Sequence, residues 1–302
     1  MKRLVVPSFA KINLGLEVLG RREDGYHELR TLFQTIDLHD TVTLGVAKEG
    51  IEVECDLPGL PTGEENLAFR AARDLLAFAG CPLGVRIRIA KRIPVGGGLG
   101  GGSSNAASVL LGMNRLLGLG LRPFELHPLA SRLGADVPFF LIGGTALGLG
   151  RGDECYPLAR QVRGHLVLVD PGRGCSTAAV FGRIDKSLTQ RENSHSIYRF
   201  ISRDLEGDDA FRILSNDLEP ASFEEAPELG RNAREIRGVL ELEGASLAAL
   251  SGSGSAFFGF FKDARQARRA GASLHSAGHR ILRARTLTLA QYRKRWGGSF
   301  FS

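Results

Sequence analysis

The chain lacks a long hydrophobic run. No stretch of its 302 residues approaches the ~20 consecutive apolar residues of a membrane-spanning helix. Its first residues, Met1-Lys2-Arg3-Leu4-Val5-Val6-Pro7, hold no apolar core of a signal peptide, which predicts a cytoplasmic protein without a membrane partner. Cysteine is scarce and scattered. Cys55, Cys81, Cys155 and Cys175 form no Cys-x-x-Cys pair, which points to reduced thiols. The seven histidines show no metal-ligand spacing, so no structural zinc is expected. There is no internal repeat and no recognisable nucleic-acid motif, and the basic residues are dispersed. A net charge of +6 then favours capture of small anionic ligands rather than nucleic acid.

Glycine, by contrast, is abundant. There are 39, near twice the usual share of ~7 %. Six of them surround one leucine in Pro94-Val95-Gly96-Gly97-Gly98-Leu99-Gly100-Gly101-Gly102-Ser103-Ser104-Asn105. Glycine lets backbone N–H groups turn inward at dihedrals other residues avoid. Such a concave amide nest at a helix N-terminus binds phosphate. The segment Ala106 to Leu117 reads as that helix, with Ser103 or Ser104 as its cap and Gly118 as its end. A strand pattern before the run and a helix after it make a free linker a poor description.

The remaining pattern is mixed. Ala10 to Val18 alternates, with Ile12, Leu14, Leu16 and Val18 on one face and Lys11, Asn13, Gly15 and Glu17 on the other, as in a half-buried strand. Arg21 to Gly25 is a turn, and Thr41–Val46, Ile51–Cys55 and Val85–Ile89 are further strands. Asn66 caps a helix that runs to about Ala79 before Gly80. Pro123 to Leu133 is a helix closed by Gly134, and Asp136 sits as an N-cap with Pro138 in the next turn. A boundary is expected between Pro157 and Arg163, giving domains 1–160 and 161–302. Beyond it, Leu166–Val169 and Ile281–Thr286 read as strands. Ser176–Phe181, Arg234–Leu242 and Ala264–Ala277 read as helices. Apolar segments within Ser246–Phe261 flank a second glycine turn, Leu250-Ser251-Gly252-Ser253-Gly254-Ser255. Residues 186–211 are polar and weakly patterned. The basic, aromatic tail Tyr292 to Phe301 reads as a solvated or packed end.

Three phosphate-loop families compete for the glycine run. A P-loop needs Lys-Ser/Thr after its last glycine, and no lysine follows Gly102. Gly96, Gly98 and Gly101 satisfy Gly-x-Gly-x-x-Gly formally, but the required second strand with its acidic end is missing, since a helix start at Leu121 to Leu126 stands there. Pro94 to Ala106 instead resembles the loop of the GHMP kinases, named after galactokinase, homoserine, mevalonate and phosphomevalonate kinases. Ala10-Lys11-Ile12-Asn13-Leu14, Asp24-Gly25-Tyr26-His27, Glu65-Asn66-Leu67, Gly134-Ala135-Asp136-Val137-Pro138-Phe139, Asn216-Asp217-Leu218-Glu219 and Leu250-Ser251-Gly252-Ser253-Gly254 extend the resemblance over nearly the whole chain. Of these, Asp24-Gly25-Tyr26-His27 and Gly134-Ala135-Asp136-Val137-Pro138 select the branch that serves the non-mevalonate isoprenoid pathway.

The resemblance implies an α+β fold. An N-terminal S5-like domain, residues 1–160, binds ATP, a ferredoxin-like C-terminal domain follows at 161–302, and the active site lies between them. It implies transfer of the ATP γ-phosphoryl group to the C2 hydroxyl of a cytidine diphosphate-linked methylerythritol. Asp136 would be the general base and Lys11 its electrostatic partner. Asn66, Leu67, Pro94, Gly96, Gly97, Gly98, Leu99, Gly100, Gly101, Gly102, Ser103 and Ser104 would hold ATP, with Mg²⁺ carried in on the nucleotide. Asn13, Tyr26, His27, Thr177, Phe181 and Ser253, with Asp136, would hold the acceptor, the aromatics reading its cytosine. Taken singly, Asp136 is a helix cap and Lys11 a solvated strand residue. Mevalonate or homoserine kinase activity, a nucleotide sensor without turnover, and an oxidoreductase stay open, as does the choice between monomer and homodimer.

Overall fold

The structure, a computed structural model, describes residues 3–172, 174–184, 195–202 and 207–297. Its frame is a long antiparallel hairpin of β1 (Arg3–Arg21) and β2 (His27–Ala47). Gly25, with φ +83°, makes the turn. The free edge of β2 is shared. Leu29–Gln34 pair with β5 (Thr145–Gly150), and Thr41–Ala47 pair with β4 (Gly84–Ala90). β3 (Ile51–Cys55) adds in parallel beside β4, and β6 (Glu154–Pro157) adds antiparallel beside β5. Four helices cover one face of this sheet: α1 (Leu67–Phe78), α2 (Gly101–Leu117), α3 (Pro123–Leu133) and α4 (Phe139–Ile142).

The second sheet is antiparallel throughout, in the order β10 (Arg280–Arg285), β7 (His165–Asp170), β9 (Phe257–Phe261), β8 (Leu247–Leu250). Between β7 and β8 run α5 (Thr177–Ile184), α6 (Ser196–Ser202), α7 (Asp209–Arg212), α8 (Glu219–Glu225) and α9 (Pro227–Leu242). α10 (Ala264–Ser276) joins β9 to β10, and α11 (Leu289–Arg295) follows. This strand order is that of a ferredoxin-like layer.

Alternation along the strands explains the layering. Val167 and Val169 pack with Ile236 and Leu240 of α9 and Leu274 of α10. Their neighbours Leu166 and Leu168 turn the other way and join Phe258 and Phe260 against Ala10, Ile12, Leu14, Leu32 and Ile36 of the first sheet. The order is helices, sheet, sheet, helices. Burying each large apolar side chain is worth roughly 1.5–3 kcal/mol, so the cluster between the sheets binds the lobes to each other.

That layering corrects the expectation of a half-buried β1. Lys11, Asn13 and Glu17 are all at most 3 % exposed, because helices cover one face of the strand and the second sheet the other. β2 is likewise far longer than Thr41–Val46, α9 starts at Pro227, and α8 and α11 were not foreseen. The tail does pack. Tyr292 and Trp296 join the core of the first lobe with Phe9 and Phe140. Much of the polar segment 186–211, and the tail beyond Gly297, lie outside the described residues. Among the described residues no helix is long and apolar enough to cross a membrane.

Candidate active site

The glycine loop is shaped by its backbone. Gly96, Gly98 and Gly100 take φ of +74°, +72° and +70°, the left-handed region that glycine adopts without strain. Space forbids side chains there as well. A Cβ on Gly98 would lie 2.0 Å from the Ser251 carbonyl oxygen, and one on Gly100 would lie 2.8 Å from Phe140 Cζ and 3.0 Å from Lys11 Cγ. Gly100 is also the N-cap of α2, with no side-chain cap. This corrects the expected capping by Ser103 or Ser104. The helix begins at Gly101 because the left-handed glycine already turns the chain into it. Its first helical hydrogen bond runs from Ser104 N to Gly100 O at 2.8 Å. The N–H groups of Gly101, Gly102 and Ser103 precede that bond, at the positive end of a 17-residue helix.

The neighbouring residues follow. Ser103 is partly exposed on the first turn, whereas Ser104 is turned into the core and accepts a 2.8 Å hydrogen bond from Ser8. Pro94 is half-buried against Gly97, and Leu99 is buried. Asn66 caps α1. Its Oδ1 accepts from Ala68 N at 2.9 Å and its Nδ2 donates to Pro61 O at 2.7 Å. Leu67 then lies beside Gly102, its Cδ1 3.8 Å from where a Cβ would stand.

The glycine turn of the second lobe closes onto this loop. Ser251 Oγ donates to Gly98 O at 3.0 Å, Ser255 N to Gly96 O at 3.3 Å, and Ala256 N to Gly97 O at 3.1 Å. Gly252 brings the turn against the first lobe. A Cβ there would be 3.2 Å from Asn13 Oδ1 and 3.5 Å from Lys11 Nζ. Ser253 Oγ shares a 2.9 Å hydrogen bond with Thr177 Oγ1, at the start of α5.

Lys11 and Asp136 meet beneath the loop. Lys11 Nζ lies 3.3 Å from Asp136 Oδ2, donates to Asn13 Oδ1 at 2.6 Å and faces the Phe33 ring at 5.5 Å. Its backbone N–H donates to Leu99 O at 3.0 Å, which fixes the lysine to the glycine loop. Asn13 Nδ2 donates in turn to Thr31 Oγ1 at 2.8 Å. The Lys11 side chain is 4 % exposed and that of Asp136 is 34 % exposed. The lysine is buried, and the carboxylate is partly exposed to solvent. Opposite charges this close attract by about 5 kcal/mol at an effective dielectric constant near 20. That offsets a desolvation cost of several kcal/mol for the buried ammonium. Asp136 lies in the turn before α4, whose N-cap position is taken by Pro138, so the expected N-cap role is corrected.

Of the three aromatic candidates, two stack on each other and the third faces an arginine. His27 stacks directly on Phe181, ring centroids 5.0 Å apart at 27°. Tyr26 is 55 % exposed and lies under the Arg151 guanidinium, 4.9 Å from it. Arg151 is itself held by Asp153 at 2.6 Å. The sequence offered no sign of Arg151, which reaches Tyr26 across the β2–β5 pairing, nor of Thr31, Ser251 and Gly252 as neighbours of Asn13 and Lys11. A buried Asn13 needs partners, and that need becomes visible only once both faces of β1 are known to be covered.

A phosphate-shaped loop on an S5-like lobe, closed by a glycine turn from a ferredoxin-like lobe, is the architecture of the GHMP kinases. Residues 66–144 match the family described as GHMP kinases N terminal domain, and residues 204–280 match GHMP kinases C terminal. Homoserine kinase from Cytophaga hutchinsonii shares the fold at a TM-score of 0.73 and 18 % identity, over 95 % of each chain. The resemblance narrows further. The 4-diphosphocytidyl-2-C-methyl-D-erythritol kinase of Moorella thermoacetica is 44 % identical over 95 % of this chain and 100 % of its own. That of Geobacter metallireducens is 44 % identical over 91 % of this chain and 95 % of its own. A crystal structure of 4-(cytidine 5'-diphospho)-2C-methyl-D-erythritol kinase superposes with a TM-score of 0.75 at 39 % identity, covering 94 % of this chain and 99 % of that one. The chain belongs to the 4-diphosphocytidyl-2-C-methyl-D-erythritol kinase family of GHMP kinases.

Proposed function

We propose that the protein transfers the γ-phosphoryl group of ATP to the C2 hydroxyl of 4-diphosphocytidyl-2-C-methyl-D-erythritol, a step of the non-mevalonate route to isoprenoid precursors. The observation that carries this reading is the Lys11–Asp136 pair at 3.3 Å, tied through Leu99 to the glycine loop. Residues 1–160 form the ATP lobe and 161–302 the second lobe, with α11 returning to the first.

The ATP phosphates lie along Gly96 to Ser103. The N–H groups of Gly101, Gly102 and Ser103 donate to them, and the helix dipole favours their charge. Ser103 supplies the hydroxyl on the open side, while Ser104 supports the loop from below. Asn66 and Leu67, at the N-terminus of α1, face the adenine. Asp136 accepts the proton of the C2 hydroxyl as its oxygen attacks phosphorus. Lys11 pairs with that carboxylate and offsets negative charge gathering on the transferred group. Among the described residues no three His, Cys, Asp or Glu side chains group around a common point. Mg²⁺ suits this site as the escort of ATP, where it neutralises the phosphates.

The acceptor runs along β2. His27 and Thr31 share one strand face about 13 Å apart, at ~3.3 Å per residue, a separation that matches an acceptor with base and polyol at opposite ends. His27, Tyr26 and Phe181 take the cytosine, stacking it and bonding its edge. Asn13, Thr177 and Ser253 take the polar groups nearer the reacting carbon. The test is ADP release with ATP and Mg²⁺ over a set of acceptors. The cytidyl acceptor is expected to turn over far faster than its uridyl counterpart, mevalonate or homoserine. Equal use of the cytidyl and uridyl acceptors, or turnover of mevalonate alone, would leave only the kinase class standing.

A further inference from the structure

The segment Asn216-Asp217-Leu218-Glu219, which follows α7 and enters α8 at Glu219, has no part in the chemistry above, yet its polar side chains are committed to two places. Asn216 is 6 % exposed. Its Nδ2 donates to Leu250 O at 2.9 Å and to Gly252 O at 2.7 Å, and its Oδ1 accepts from Leu218 N at 3.0 Å. Glu219 Oε1 accepts from Leu250 N at 2.7 Å, while Oε2 receives Arg237 at 2.6 Å. These bonds grip the glycine turn from behind. The other residues grip β1. Leu16 N donates to Ser215 O at 2.8 Å, Asp217 N donates to Leu16 O at 2.9 Å, and Asp217 Oδ2 accepts from Val18 N at 2.9 Å. Leu218 fills the apolar cluster with Leu16, Val18 and Val180.

We propose that Asn216-Asp217-Leu218-Glu219 is a positioning motif that sets the glycine turn Leu250–Ser255 against Lys11, Asn13 and the glycine loop, with Asn216 at its centre. β1 carries Lys11 and Asn13, and the turn carries Gly252, which nearly touches both. Among the described residues no regular ladder spans that gap. The motif does, because one end is bonded into the strand and the other holds two carbonyls of the turn. Without the Asn216 amide, the Leu250 and Gly252 carbonyls lose a buried donor and the turn must shift to find another. A displaced wall at a reacting centre lowers turnover more than binding. The effect on turnover rests on the proposed function; the positioning of the turn does not.

The test is Asn216→Ala, read in two ways. For the cytidyl acceptor, kcat is expected to fall about 10–100-fold, more than either KM rises, since displacements near 1 Å can cost ~10²-fold. By hydrogen exchange, the amides of Ser251, Gly254, Ser255 and Ala256 are expected to exchange faster, while those pairing β7 with β10 keep their rates. Ser222→Ala removes the 3.1 Å bond to Ser253 O, together with a 2.9 Å bond to Leu218 O at the start of its own helix, and should give the same pattern more weakly, so it carries the test if Asn216→Ala does not fold. Leu274→Ala lowers the stability of the same lobe from its outer core and should keep wild-type kcat below its melting temperature. Wild-type kcat in a folded Asn216→Ala protein, a loss confined to KM, or unchanged exchange in the turn would overturn the proposal. An unmutated protein inactive on the cytidyl acceptor would refute the proposed function, and the exchange rates would still decide this one.

Discussion

Gly96–Gly102 and Ser251–Ser255 are both glycine-rich, and they touch along one seam, yet their shapes come from different sources. In the first, three left-handed glycines turn the chain and deliver it into a long helix, so local backbone preference does most of the shaping. The second is buried throughout and leads into a strand instead. Side chains distant in sequence hold it, namely Asn216, Glu219 and Ser222. The first segment presents amides at a helix N-terminus and suits an anion. The second presents no helix end and suits the role of a wall that closes on Lys11 and Asn13. A loop shaped to suit an anion can be written in a few neighbouring residues, whereas a wall that must meet another lobe needs support from elsewhere in the chain.

The largest expected effect lies where the two segments face the reacting group. Asp136→Asn keeps the shape of the side chain but cannot take up a proton, so turnover should fall roughly 10²–10⁴-fold, while titration shows ATP still bound. Near-wild-type turnover would remove Asp136 from the chemistry. Next comes the locally shaped segment. Gly100→Val forces a β-branched residue into a left-handed conformation against Phe140 and Lys11. Strain of about 1–3 kcal/mol should weaken ATP binding about 5–150-fold, with a smaller change for the acceptor. Paired titrations check this, and unchanged ATP affinity in a folded variant would break the contrast between loop and wall.

His27→Ala probes the far end of the acceptor. With Tyr26 and Phe181 still present, the loss should sit near the lower end of the 1–3 kcal/mol per stacked base, about 5-fold in acceptor KM. The cytidine-over-uridine preference should relax while ATP affinity holds. A ratio of kcat/KM for the two acceptors that is the same in mutant and parent would speak against His27 as a reader of the base. The smallest effect is expected outside both segments. Tyr292→Phe removes the hydroxyl that donates to Phe140 O from α11. That should cost about 1 kcal/mol, or a few degrees in Tm, with kcat unchanged.

How much of this was legible in the sequence follows the same division. The glycine loop, α1 with its Asn66 cap, α3 between Pro123 and Gly134, and β3 at Ile51–Cys55 are set by neighbours within a few positions, and each reads directly. Lys11 and Asp136 could be singled out by resemblance, but their meeting could not be derived, since 125 positions separate them and only the fold brings them to 3.3 Å. The burial of β1 was misjudged because its second cover is a sheet formed more than 150 residues later. The Arg151–Tyr26 contact and the packing of Tyr292 under Phe140 have no local signature at all. Asn216 to Glu219 stood out as a motif, yet its use could be seen only when Leu16, Val18, Leu250 and Gly252 were found around it.

The most direct measurement is phosphorus NMR of the unmutated protein with ATP, Mg²⁺ and 4-diphosphocytidyl-2-C-methyl-D-erythritol. The proposed function predicts a new phosphomonoester on the polyol carbon C2, formed one for one with ADP, with the diphosphate bridge to cytidine intact. ADP accompanied only by inorganic phosphate, or no product with this acceptor beside ready phosphorylation of mevalonate or homoserine, would contradict it.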